Sequence, residues 1–155
     1  MSTARWARIG FALLAWLFVG LTGVQVYLAG AAVQQLGGSN DFGTHQAMGF
    51  VIMLIALIQL VLSFAGRMPL RMIGASALAF ALMIVQSALV HIGTPSLAAL
   101  HPVNGFLVGL LALWIAWRSL GYVRAPLPPE PVRPIPVPAT PAASPSGKPD
   151  TEVES

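Results

Sequence analysis

Long uncharged apolar runs alternate with short polar junctions along this chain. The first run lasts from Ile9 to Asn40 without a charge, and its opening part, to about Ala32, is solidly apolar. Gly37-Gly38-Ser39-Asn40-Asp41 then reads as a turn, with Asn40 or Asp41 suited to cap the next helix. A second charge-free run goes from Phe42 to Gly66 and stops at Arg67-Met-Pro-Leu-Arg71, where Pro69 between two arginines makes a sharp connection. The third run, Met72 to Ile92, is rich in alanine, leucine and methionine. Thr94-Pro95 supplies a cap and a first-position proline for a fourth helix ending near Arg118. Pro102 either kinks that helix from inside or opens it, with His101 as the cap.

Each run is long enough to span about 30 Å of hydrocarbon at about 1.5 Å per residue. The pattern predicts an all-α integral membrane protein, with four transmembrane helices at about 9–32, 43–66, 71–92 and 96–118. Short junctions predict an up-down bundle in which the second and fourth helices are diagonal neighbours. The rival reading of the first run is a cleaved signal peptide ending at Ala29-Gly30-Ala31-Ala32. Its apolar stretch exceeds the roughly 7–15 residues of such a peptide, so a retained helix is expected.

Composition supports lipid as the solvent. The chain is 56% hydrophobic and 8% charged, against roughly 25% charged in a soluble domain. A chain of 155 residues cannot hide that much apolar surface in one water-soluble core. From Ala125 the character changes: ten of the thirteen prolines lie between Pro126 and Pro149, and the last residues are acidic. The expected organisation is a cytoplasmic N-terminus (1–8), a membrane domain (9–120) and a disordered Pro-rich cytoplasmic tail (121–155). Pro126-Leu-Pro-Pro129 has the PxxP spacing that aromatic grooves bind, but a solvated low-complexity tail is the expected reading.

Charge then assigns sides. Arg5, Arg8, Arg67, Arg71, Arg118, Arg124, Arg133 and Lys148 all fall at one end, and Asp41 is the sole charge at the other junctions. By the positive-inside rule both termini are expected in the cytoplasm, in the plasma (inner) membrane of a bacterium. Trp6, Trp114 and Trp117 suit an aromatic belt on that side. The basic residues follow topology, not a groove, so no nucleic-acid partner is expected. The absence of cysteine excludes disulfides, thiol redox chemistry and Cys-type zinc sites.

Three histidines remain as candidate chemistry, all on the side opposite the arginines. His45 and His101 open the second and fourth helices, and two imidazoles facing across a bundle diagonal can hold a planar macrocycle edge-on. Gly49 and Gly105 stand one turn beyond them, with Gly109 a turn further, where a missing side chain leaves room for a flat ligand. Gly105-x-x-x-Gly109 is equally an ordinary close-packing motif. Met48 and Phe106 can pack on a ring, and Gln25, Gln46, Gln86 and Asn104 can accept the second N–H of an imidazole. His91, at the end of the third helix, is read as interfacial or supporting. Three histidines also suit zinc or copper, but no carboxylate cluster supports catalysis, and no catalytic residue is assigned. The hairpins share only a loose pattern of glycine, glutamine and histidine, not a convincing repeat.

Three stretches carry a resemblance: Thr44-His45-Gln46-Ala47-Met48-Gly49, Met83-Ile-Val-Gln86-Ser-Ala-Leu89 and Leu100-His101-Pro-Val-Asn104. Over about Gly20 to Leu113 the chain resembles one four-helix half of the haem A synthase membrane family. It also resembles small four-helix bacterial membrane proteins of unknown function. The first resemblance implies that His45 and His101 are axial ligands of a haem iron. The family's second half, outer-loop acid and cysteine pair are missing, so its haem-oxidising activity is not carried over. The expected function is binding of one haem b, for electron transfer or haem handling, with the lipid bilayer and a membrane redox or assembly protein as partners. The alternative is a non-catalytic accessory or scaffold protein with structural histidines. A transporter is disfavoured, since no acidic residue lies at mid-membrane.

Overall fold

The computed structural model describes residues 2–92 and 94–127, and every regular element among them is helical. Helices α1 (Thr3–Ala32), α2 (Gly43–Ala65), α3 (Leu70–His91) and α4 (His101–Arg124) form the body. Single turns at Gln34–Leu36 and Pro95–Ala98 interrupt two of the connections. The four long helices have the length and apolarity to cross a membrane. α1 and α3 each pack against both α2 and α4, so α2 and α4 face each other across a diagonal. The Pro-rich tail expected at 121–155 falls almost wholly outside the described residues, and α4 occupies its first positions.

The bundle packs by small residues. Ala7, Ala12, Ala15, Ala56, Ala79, Ala112 and Ala116 are buried, which brings backbones close, and Phe11, Phe18, Ile52, Met72 and Ile115 fill what remains. Much of the large apolar surface points outward instead. Leu13, Val26 and Phe106 are each about two-thirds exposed, the arrangement expected where the outer solvent is hydrocarbon. Phe106 is therefore turned away from the interior position expected for it.

Helix ends depart from expectation for local reasons. α1 begins at Thr3 rather than Ile9, because Ala4, Ala7, Arg8, Phe11, Ala15 and Phe18 make one continuous buried stripe at helical spacing. α4 passes through the exposed Arg118 and stops at Arg124. Ala125 is extended (ψ 147°), the conformation that the following Pro126 imposes on its neighbour. Thr94 and Pro95 occupy the cap and first positions of the short turn, not of α4. His101 is the first residue of α4 with Leu100 as its cap, and Pro102 sits harmlessly in the first turn. Phe42, not Asn40 or Asp41, caps α2, while the Asp41 carboxylate accepts the Gly43 N–H at 2.8 Å.

The α1–α2 junction folds back over the end of α1. The amides of Gly38, Ser39 and Asn40 donate to the carbonyls of Val33, Ala31 and Ala32, satisfying orphan acceptors of the helix terminus. Gly37 (φ 83°) and Asn40 (φ 59°) supply the left-handed residues this needs. Gly38 lies so close that a Cβ would meet the Ala31 and Val33 carbonyl oxygens.

At the opposite end, Arg8 ties three helices together. Its side chain is buried, and Nε donates to the Gly66 carbonyl at 2.8 Å. Nη2 reaches the Arg67 carbonyl at 3.3 Å, and Nη1 the Tyr122 and Ala125 carbonyls, each at 3.1 Å. One guanidinium from α1 thus closes the C-terminal ends of α2 and α4, where helix dipoles present partial negative charge.

Candidate functional site

The two histidine-bearing helix starts meet at the end of the bundle opposite Arg8. The His45 and His101 rings lie 6.0 Å apart between centroids, inclined at 62°. Both are partly buried. The His45 Nδ1 lies 3.2 Å from the Gln25 carbonyl oxygen in α1, and the His101 Nδ1 lies 3.0 Å from the Gln86 carbonyl oxygen in α3. A carbonyl can only accept, so Nδ1 is the donor in each ring; in a neutral imidazole that leaves the lone pair on Nε2. Both rings are thereby oriented in the same way by a backbone group of the flanking helix. The Phe42 ring stands edge-on to His45, with 6.2 Å between centroids.

The glutamines act differently from expectation. Backbone oxygens of Gln25 and Gln86, not their side chains, orient the imidazoles. The Gln25 amide Nε2 instead donates to the His45 carbonyl at 2.8 Å, which makes the α1–α2 link reciprocal. The Gln86 Oε1 accepts from Asn104 Nδ2 at 2.6 Å, and that same nitrogen reaches the Leu82 carbonyl at 2.9 Å. Asn104 is therefore a buried brace between α3 and α4 and touches no imidazole through these bonds. Gln46 is exposed, and Met48 packs on the core. His91 is exposed as well, with Nδ1 2.7 Å from the Ser87 carbonyl of its own helix. No group of three metal-ligating side chains forms among the described residues, so the three-histidine arrangement is not assembled.

Gly49 and Gly105 also have a use other than the one expected. A Cβ on Gly49 would stand 3.2 Å from Gln25 Nε2, and one on Gly105 would stand 3.1 Å from Gln86 Nε2. The two glutamine amides stand at the missing side chains. Each hairpin therefore repeats one device: a glutamine on the first helix, a histidine on its carbonyl, and a glycine one turn on that accommodates its amide. The sequence hides this equivalence because the glutamine-to-histidine separations differ between the hairpins.

Two imidazoles, each oriented through Nδ1, are a donor set of the kind that can ligate a metal through Nε2. The carbonyls at Nδ1 are the partners that metal-bound histidines ordinarily have. Gln25 Oε1 is buried beside this pair and has no hydrogen-bond partner among the described residues. Gln25 and Gln86 stand about 8–10 Å inside the ends of α1 and α3 at about 1.5 Å per residue, so both helices rise past the pair.

Sequence reasoning missed Arg8 as anything but a topological charge. Its signal was its place in the stripe of Ala4, Ala7, Phe11 and Ala15, which puts it on the buried face.

Residues 25–95 match the model of a family described only as a family of unknown function (DUF6220). The matched stretch holds Gln25, His45, Gly49 and Gln86 and stops short of His101. No curated protein and no solved structure matches the chain.

Proposed function

We propose that this chain is a plasma-membrane protein that binds one b-type haem between α2 and α4, with His45 and His101 as axial ligands. The observation that carries the reading is the matched pair of imidazoles, each with Nδ1 on a backbone carbonyl and their centroids 6.0 Å apart. Neutral imidazoles with a free Nε2 are the form that ligates haem iron. Fixing each ring from behind lowers the cost of holding two ligands in register. When bound, the haem would supply one-electron redox chemistry or be the cargo handled. The chain's own part is to present two lone pairs, orient them and keep the pair below the rims of α1 and α3.

The topology proposed alongside places both termini in the cytoplasm and the histidines near the extracytoplasmic side. It rests on the arginines: Arg5, Arg8, Arg67, Arg71, Arg118 and Arg124 all belong to the end where Arg8 gathers α1, α2 and α4.

Protein purified in detergent from haem-replete cells is expected to show a Soret band, which His45→Ala and His101→Ala each abolish. A colourless wild-type preparation would sink the proposal. One observation favours a second reading, in which the histidines are structural: the glycine clearances are already filled by the Gln25 and Gln86 amides. In that case wild type and the double alanine variant are equally colourless, and the variant differs only in a lower unfolding temperature.

A further inference from the structure

The end of the bundle away from the histidines holds an open cleft of about 410 Å³ between α3 and α4, lined by Arg71, Trp117, Arg118, Gly121, Tyr122 and Ala125. Its charge is unbalanced. Asp41 is the sole acidic residue among the described residues, and it belongs to the opposite junction. Arg118 is exposed and has no polar partner among the described residues. Arg71 Nε donates to the Tyr122 hydroxyl oxygen at 2.9 Å, and its Nη2 donates to the same atom. A phenol oxygen that accepts twice from a guanidinium must turn its own hydrogen away, which leaves a neutral donor beside two cations.

We propose that this cleft binds the phosphodiester headgroup of an anionic phospholipid, with Arg71 and Arg118 flanking the phosphate and the Tyr122 O–H donating to it. A guanidinium presents paired donors that match phosphate oxygens, so arginine suits this contact better than lysine. The choice of a lipid over a free phosphate comes from what adjoins the cleft. Leu110, Leu113 and Trp114 are exposed along α4 toward the middle of the span, a surface for acyl chains. Trp117, 69% exposed at the cleft's edge, suits the glycerol level of an interface. Basic pockets between helix ends are a recognised way to hold anionic headgroups. The site stands apart from the histidine pair and does not depend on haem.

Native mass spectrometry of the full chain, mixed with phosphatidylglycerol and phosphatidylcholine, tests this. Wild type is expected to retain phosphatidylglycerol about tenfold or more over phosphatidylcholine, the scale that two arginines at a membrane surface provide. The variant Arg71→Gln with Arg118→Gln should fall to near parity, and the paired lysine replacements should lie between. Gly121→Leu gives a steric check, because a Cβ at Gly121 meets only open space. That variant should keep its helical circular dichroism and lose the preference by filling the cleft. If the arginine variant fails to fold, Gly121→Leu decides. Equal retention of the two lipids by wild type overturns the proposal, as does an undiminished preference in a folded variant. Displacement of the lipid by excess inorganic phosphate would reassign the site to a free anion and overturn the lipid proposal.

Discussion

Gly49 and Gly105 each stand one helical turn beyond a histidine, and each is where a glutamine amide from the neighbouring helix comes closest. Adding a methyl group at either position pushes on the flexible end of that glutamine. Gly49→Ala should weaken the bond from Gln25 Nε2 to the His45 carbonyl, and Gly105→Ala should disturb the Gln86–Asn104 pair. The bond is worth about 0.5–1.5 kcal/mol, and alanine gains about 0.5–1 kcal/mol over glycine inside a helix, so each variant should fall short of that gain. A denaturant titration in detergent measures it, and stabilisation by the full gain would refute the role assigned to these glycines. The residue types were legible in the sequence, and their tasks were not. Gln25 and Gln86 orient imidazoles through backbone oxygens, which every residue possesses, so no side-chain pattern could point to them. Gln46, adjacent to His45 in the chain, is turned outward by the helical period.

Arg8 dominates at the scale of elements. Its guanidinium is the donor for carbonyls at the C-terminal ends of α2 and α4, of which the Gly66 contact is buried. Arg8→Met should cost about 2–4 kcal/mol, since hydrogen bonds to charged groups are worth about 1.5–3 kcal/mol each and several are lost together. Arg8→Lys should restore only part, because an ammonium cannot span the same set of oxygens. Thermal unfolding followed by circular dichroism reads both, and an Arg8→Met variant as stable as wild type would refute the latch. The end of α4 shows the same dependence on neighbours. Arg118 has no local reason to stop a helix once its side chain reaches water, whereas Pro126 does.

Two chemically different ends define the whole molecule. Helix termini carrying six arginines gather at one, and the imidazole pair sits at the other. The chain has no cysteine, so single introduced cysteines report the proposed sidedness without background. Gln35→Cys, in the exposed α1–α2 junction, should react with a membrane-impermeant maleimide in intact cells, and Ser2→Cys only after permeabilisation. The reverse pattern would invert the topology.

Hydropathy and charge along the chain were enough to establish four helices, their order and the grouping of the arginines at one end. A bilayer excludes unpaired backbone and isolated charge so strongly that the solution is written in one dimension. Only the tertiary structure decided that the Arg8 guanidinium closes the ends of α2 and α4, and that His45 and His101 each set Nδ1 on a carbonyl of the flanking helix. Those partners are backbone oxygens of helices distant in sequence, which leave no mark in the order of residue types.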